Sequence, residues 1–193
     1  MVTTVPVPSV LSVVVEAPAV VAEASPSLST RLTRALGTLS LLGSAFGLLL
    51  TAWYGLATVA SGALPFVNLL WTGALCGGVA LCFAWGVGTG IALRRQHPAA
   101  LWAALPFWLL QVPIVSSPLA TLSLYSGLAV PVTVMFQDGV NFYAGINLGS
   151  GFETFFLNPA APWGFGINLF AVAAVVFLTV RLLQEKWSTI PGR

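Results

Sequence analysis

The sequence predicts an all-α membrane protein: four transmembrane helices with an external β-hairpin segment. Three observations carry that reading. Charged residues make up 6% of the 193 positions, against about a quarter in a soluble domain. Apolar residues make up 58% and the mean hydropathy is +0.95, more apolar surface than one soluble core of this length hides. The few cations fall in clusters separated by long charge-free runs. The same numbers exclude a disordered chain, a collagen and a disulfide scaffold.

Residues 1–30 stand apart. Pro6, Pro8, Pro18 and Pro26 interrupt Val, Ala and Ser, with Glu16 and Glu23 among them. Proline breaks a helix, and no basic residue precedes an apolar core as in a signal peptide. The expectation is a disordered cytoplasmic tail ahead of a four-helix membrane domain over 31–193.

Residues 35–93 carry no charge. About 20 apolar residues cross the hydrocarbon, so this run predicts two crossings, at about 35–59 and 66–92. The turn between them is placed at Ser61-Gly62-Ala63-Leu64-Pro65, where Gly and Pro punctuate the run. After Arg94-Arg95-Gln96-His97-Pro98, a third apolar run predicts a helix over 99–121, kinked at Pro106, Pro113 and Pro118. The fourth helix is placed at 164–183, with Arg181 in its last turn, where a long side chain snorkels to the interface.

Four crossings put Arg31 and Arg34, Arg94 and Arg95, and Arg181, Lys186 and Arg193 on one side. That side then reads as cytoplasmic, with both termini. A fifth helix over 119–136 would move the last cluster outside, so four crossings are preferred. The Arg-rich, Ala- and Gly-rich composition resembles that of a GC-rich bacterium, which makes a bacterial inner membrane the expected location.

Residues 122–160 form the external segment. Val130, Val132, Val134 and Phe136 alternate with Pro131, Thr133, Met135 and Gln137; Val140, Phe142, Ala144, Ile146 and Leu148 alternate with Asn141, Tyr143, Gly145 and Asn147. Period two means strands, and Asp138-Gly139 between them means a hairpin. A two-residue turn would set apolar residues against polar ones. A three-residue loop Gln137-Asp138-Gly139 pairs Phe136 with Val140, Val134 with Phe142 and Val132 with Ala144, so that register is expected. Two strands alone are marginal in water; the apolar face is expected to rest on helix ends or lipid. Phe152–Leu157 adds a third strand, and Trp163 is an interfacial anchor after Asn158-Pro159.

Candidate functional positions are few. Gly43, Gly47 and Gly55 recur with Thr51 at four-residue spacing in helix one, and Gly78, Gly86 and Gly90 do so in helix two. Small residues on one face let two backbones approach closely. The expectation is intramolecular packing of these helices, with a homo-oligomer contact or a narrow pore as the alternative. Gln111, between Pro106 and Pro113, is expected to satisfy a carbonyl freed by proline, or else to meet a ligand inside the bundle. Asp138 is assigned to the hairpin turn and Glu153 to a solvent-facing strand edge, with partner contact as the alternative for each. Cys76 and Cys82 point to different faces of one helix and cannot bridge. His97 has no neighbouring ligand residue in sequence.

No catalytic set, metal site or cofactor motif is expected, and no nucleic-acid partner. Paired external cysteines, an intramembrane Glu, a Ser–His set and a P-loop are all missing from the sequence; Gly86-x-Gly88-x-Gly90 lies inside a helix. The leading expectation is a non-enzymatic interaction or accessory subunit presenting the hairpin, in contact with the lipid bilayer and a membrane-protein partner or a second copy. The alternatives are a passive channel or transporter formed by oligomerisation, and an enzyme acting on a lipid-like molecule through Glu153 and Asp138.

Overall fold

The computed structural model describes residues 27–62, 66–137, 139–156 and 160–188. It overturns the all-α, four-crossing prediction. The described residues form helices α1 (Leu28–Ser61), α2 (Phe66–Arg94) and α3 (Ala100–Leu109), strands β1 (Pro113–Ser116), β2 (Ala120–Ala129), β3 (Pro131–Phe136), β4 (Val140–Ala144), β5 (Asn147–Phe156) and β6 (Trp163–Asn168), and helix α4 (Leu169–Ser188). The strands make one antiparallel sheet in the order β4-β3-β6-β1-β2-β5. Among the described residues two helices, not four, are long and apolar enough to cross a membrane: α1, and α2 from Leu69.

The two failures have one cause. An apolar run without polar marks reads equally as a buried helix or a strand. The helix expected over 99–121 stops at Leu109, because Pro113 withdraws an N–H and Ile114-Val115 are β-branched. Pro113 opens β1, and Pro118 lies in the turn to β2. The helix expected over 164–183 starts at Leu169 and runs to Ser188. Ahead of it, Trp163-Gly164-Phe165-Gly166-Ile167 alternates large and small, and forms β6 between β1 and β3.

The β3–β4 hairpin pairs Phe136 with Val140, Val134 with Phe142 and Val132 with Ala144, the three-residue-loop register. It is not an isolated hairpin, however: β3 also pairs with β6 along its whole length. The alternation ends at Ala144, and Asn147 begins β5 against β2 rather than against β4. The expected strand at Phe152–Leu157 is the second half of β5; Leu157, Asn158 and Pro159 lie outside the described residues, as do Asp138, residues 1–26 and Arg193.

Ser27 caps α1, its hydroxyl accepting from the Thr30 N–H at 3.3 Å. Gly62 ends the helix in the left-handed conformation, φ 60°. The tight turn after α2 puts Gln96 at φ 54°. It folds α3 back on α2, and the two pack with α4 around Leu93, Leu101, Ala104, Phe107, Trp108, Ala171 and Leu178 in the apolar core. The Trp108 ring meets Phe170 and Phe107 edge-on, with centroids 5.6 and 6.0 Å apart. Arg181 of α4 donates to the Ser29 hydroxyl at 3.1 Å, so the start of α1 and the end of α4 adjoin.

Candidate functional site: a two-faced sheet

Strand register sorts the sheet into two unlike faces. On one, Phe142, Val134, Phe165, Val115 and Leu122 lie in a row across five strands. Val140, Phe136 and Trp163 form a parallel row on one side of it, and Ala144, Val132, Ile167 and Pro113 form another on the other side. Every residue in these rows is apolar. Much of the face is uncovered: Phe142 is 76% exposed and Phe165 61%. The opposite face carries Asn141, Met135 and Gly164, and then Tyr143, Thr133, Gly166 and Ile114. Ser123 and Glu153, paired between β2 and β5, sit on that second face, with Glu153 exposed. Small residues are needed there: an added Cβ would come within 2.5 Å of the Val132 carbonyl oxygen at Gly166 and 2.9 Å of the Val134 carbonyl oxygen at Gly164.

Helix α1 crosses one end of the apolar face at β2 and β5. A Cβ on Gly43 would fall 2.1 Å from the Gly127 nitrogen, so only glycine lets the helix approach so closely. Gly127 (φ 90°) is paired with Gly149 (φ 116°), both in the left-handed region. The crossing is polar. Ser44 and Ser126 share a hydroxyl–hydroxyl bond of 2.9 Å, and the Ser150 hydroxyl donates to the Gly43 carbonyl.

Gln111, fully buried, ties α3 to this crossing. The last turn of α3 tightens: the Gln111 N–H goes to the Trp108 carbonyl, leaving the Phe107 carbonyl free. Gln111 Nε2 donates to that carbonyl at 3.3 Å, and Oε1 accepts from the Ser126 N–H at 2.8 Å.

Asn168 joins β6 to α4. Its Oδ1 accepts from the Val130 N–H at 2.9 Å and, as an N-cap, from the Ala171 N–H at 3.4 Å. Two donors fix the oxygen, so Nδ2 points the other way. That nitrogen is buried without a partner among the described residues. It borders a small, partly open cleft of about 30 Å³, shared with Gln111, Ser123, Tyr125 and Asn147. No charged side chain lines the cleft; what it offers is the unpartnered Asn168 amide, a hydrogen-bond donor, in a space that fits one water-sized molecule.

The anticipated glycines separate into three groups. Gly47 lies beneath the Phe83 ring, Gly86 between Ser44 and Phe107, and Gly90 against Leu41 and the Gly37 carbonyl. Gly43 meets the sheet instead of α2, and Gly55 and Gly78 face open space. Glu153 and Gln111 do not meet, and Asp138 lies outside the described residues. Cys76 and Cys82 are free thiols. Among the described residues no three of His, Cys, Asp and Glu lie together as metal ligands would. Sequence reasoning missed Ser44, Ser126, Ser150 and Asn168. Their signal was available, as isolated polar residues in apolar runs, but only the sheet brings them together. The chain matches no family model, no curated protein and no solved structure.

Proposed function

We propose that this protein is a membrane-embedded, non-enzymatic interaction subunit. In this reading α1 and α2 cross the bilayer and the polar sheet face, with the outer strands β4 and β5, meets a partner protein. One observation carries the membrane part. The most apolar windows of α1 and α2 are only 39% and 22% buried, whereas an apolar core helix of a soluble protein is mostly covered. Two crossings place Arg31, Arg34, Arg94 and Arg95 at one interface. The positive-inside rule makes that side cytoplasmic, in keeping with a bacterial inner membrane.

The interaction part rests on the contrast between the two sheet faces. Asn141, Tyr143 and Glu153 are exposed on the polar one, and an antiparallel sheet with free outer strands offers backbone as well as side chains to a partner. A photo-crosslinking residue at position 143 or 153, in membranes from the native host, tests this. The expected result is a discrete protein adduct at those positions, with the adduct from 143 lost on Glu153→Lys; no adduct at either contradicts it.

A passive pore formed by several copies is the second reading. It is favoured by the small and polar side chains of one face beside apolar helices. Solute flux through protein-containing liposomes is the deciding measurement.

A further inference from the structure

We infer that the apolar face of the sheet is itself a lipid-contacting surface, covered by acyl chains beside α1. This rests on the membrane reading of α1 and α2 and adds a second, non-helical element to it.

Away from the α1 crossing, where Ser126 and Ser150 lie, the face from β4 to Leu122 of β2 is apolar. Its three rows contain no polar or charged side chain, and Phe136, Phe142, Trp163 and Phe165 are all exposed. It also continues the uncovered flank of α1. The Tyr54 ring meets Phe152 of β5 edge-on at 6.4 Å, and Phe46 lies over Gly149. Phe46, Leu49 and Trp53 are exposed on the same helix.

Height along α1 favours lipid over water. The sheet meets α1 from Leu39, beside Gly127, to Tyr54, beside Phe152. At 1.5 Å per residue this stretch lies about 12 to 35 Å beyond Arg31, and the hydrocarbon is about 30 Å thick. With Arg31 at the interface, the sheet stands mostly at acyl-chain depth. Backbone groups are costly there unless paired. Strands β3, β6, β1 and β2 are each flanked by a strand on both sides, so the centre of the face meets that demand. The polar face at the same depth then turns to a partner or to water.

Paired single-cysteine spin labels test this in a Cys76→Ala/Cys82→Ala background, with the full chain in phosphatidylcholine vesicles. Neighbours on opposite faces are compared, Phe142→Cys with Tyr143→Cys and, on the inner strand, Val134→Cys with Thr133→Cys. Leu49→Cys on α1 is the reference. Oxygen collides with probes in lipid, and a nickel chelate with probes in water. The expected result is a severalfold higher oxygen-to-nickel ratio at 142 and 134 than at 143 and 133, with 142 and 134 matching 49. Nickel access at 142 and 134 with oxygen access at 49 overturns the inference and leaves the membrane reading standing. Low access to both at 142 and 134 means protein, such as a second copy, covers the face, and also overturns it. Nickel access at 49 overturns the membrane reading itself.

Discussion

Gln111 shows how a single amide joins three elements. It closes the end of α3 and supplies the acceptor for a strand N–H beside the left-handed Gly127. Replacing it with Leu keeps the volume but leaves the Ser126 N–H and the Phe107 carbonyl buried and unpaired. A buried unpaired group costs about 1–3 kcal/mol, so Gln111→Leu is expected to lower the unfolding midpoint in detergent, whereas Leu109→Ala, at an exposed site, moves it little. Gly127→Ala is expected to be at least as damaging. The residue sits at φ 90°, and its Cβ would approach the Leu39 carbonyl oxygen to 2.8 Å. Of these roles the sequence showed only part. A lone amide among prolines announced a carbonyl to satisfy, but its partner on β2 depends on a sheet whose other strands lie far away in the chain.

At the scale of elements, what was legible was whatever carried an alternating polar mark. The β3–β4 register follows from matching apolar with apolar across Gln137–Gly139, which a two-residue turn does not do. The stretches 110–121 and 164–168 carry no such mark, and hydropathy alone extended helices through them. Pro113 and the Gly164/Gly166 alternation held the contrary information. Gly166 shows the consequence: a Val there would overlap Thr133 and push β3 off β6. Overpacking of this kind costs about 1–3 kcal/mol, so Gly166→Val is expected to expose the hairpin to limited proteolysis while α1 and α2 stay protected. Trp108, fully buried between Phe107 and Phe170, gives the complementary case. Trp108→Ala is expected to cost about 3–5 kcal/mol and to loosen α3 and α4 together, seen as loss of near-ultraviolet circular dichroism.

For the whole molecule, composition announced lipid before any element was placed, and the structure redistributes that apolar surface. Part of it lies on two long helices and part on one face of a sheet, where four helices had been expected. The cationic ends still gather: Arg181 reaches Ser29, and the Arg94 side chain lies beside Gly37. In the two-crossing arrangement we propose, the Ser61 turn and the His97 turn lie on opposite sides of a bilayer. Ser61→Cys and His97→Cys, each in the Cys76→Ala/Cys82→Ala background, are to be labelled with a membrane-impermeant maleimide in right-side-out and inverted vesicles. Labelling of 61 is expected only in right-side-out vesicles and of 97 only in inverted ones. Labelling of both positions from the same side would contradict the two-crossing arrangement.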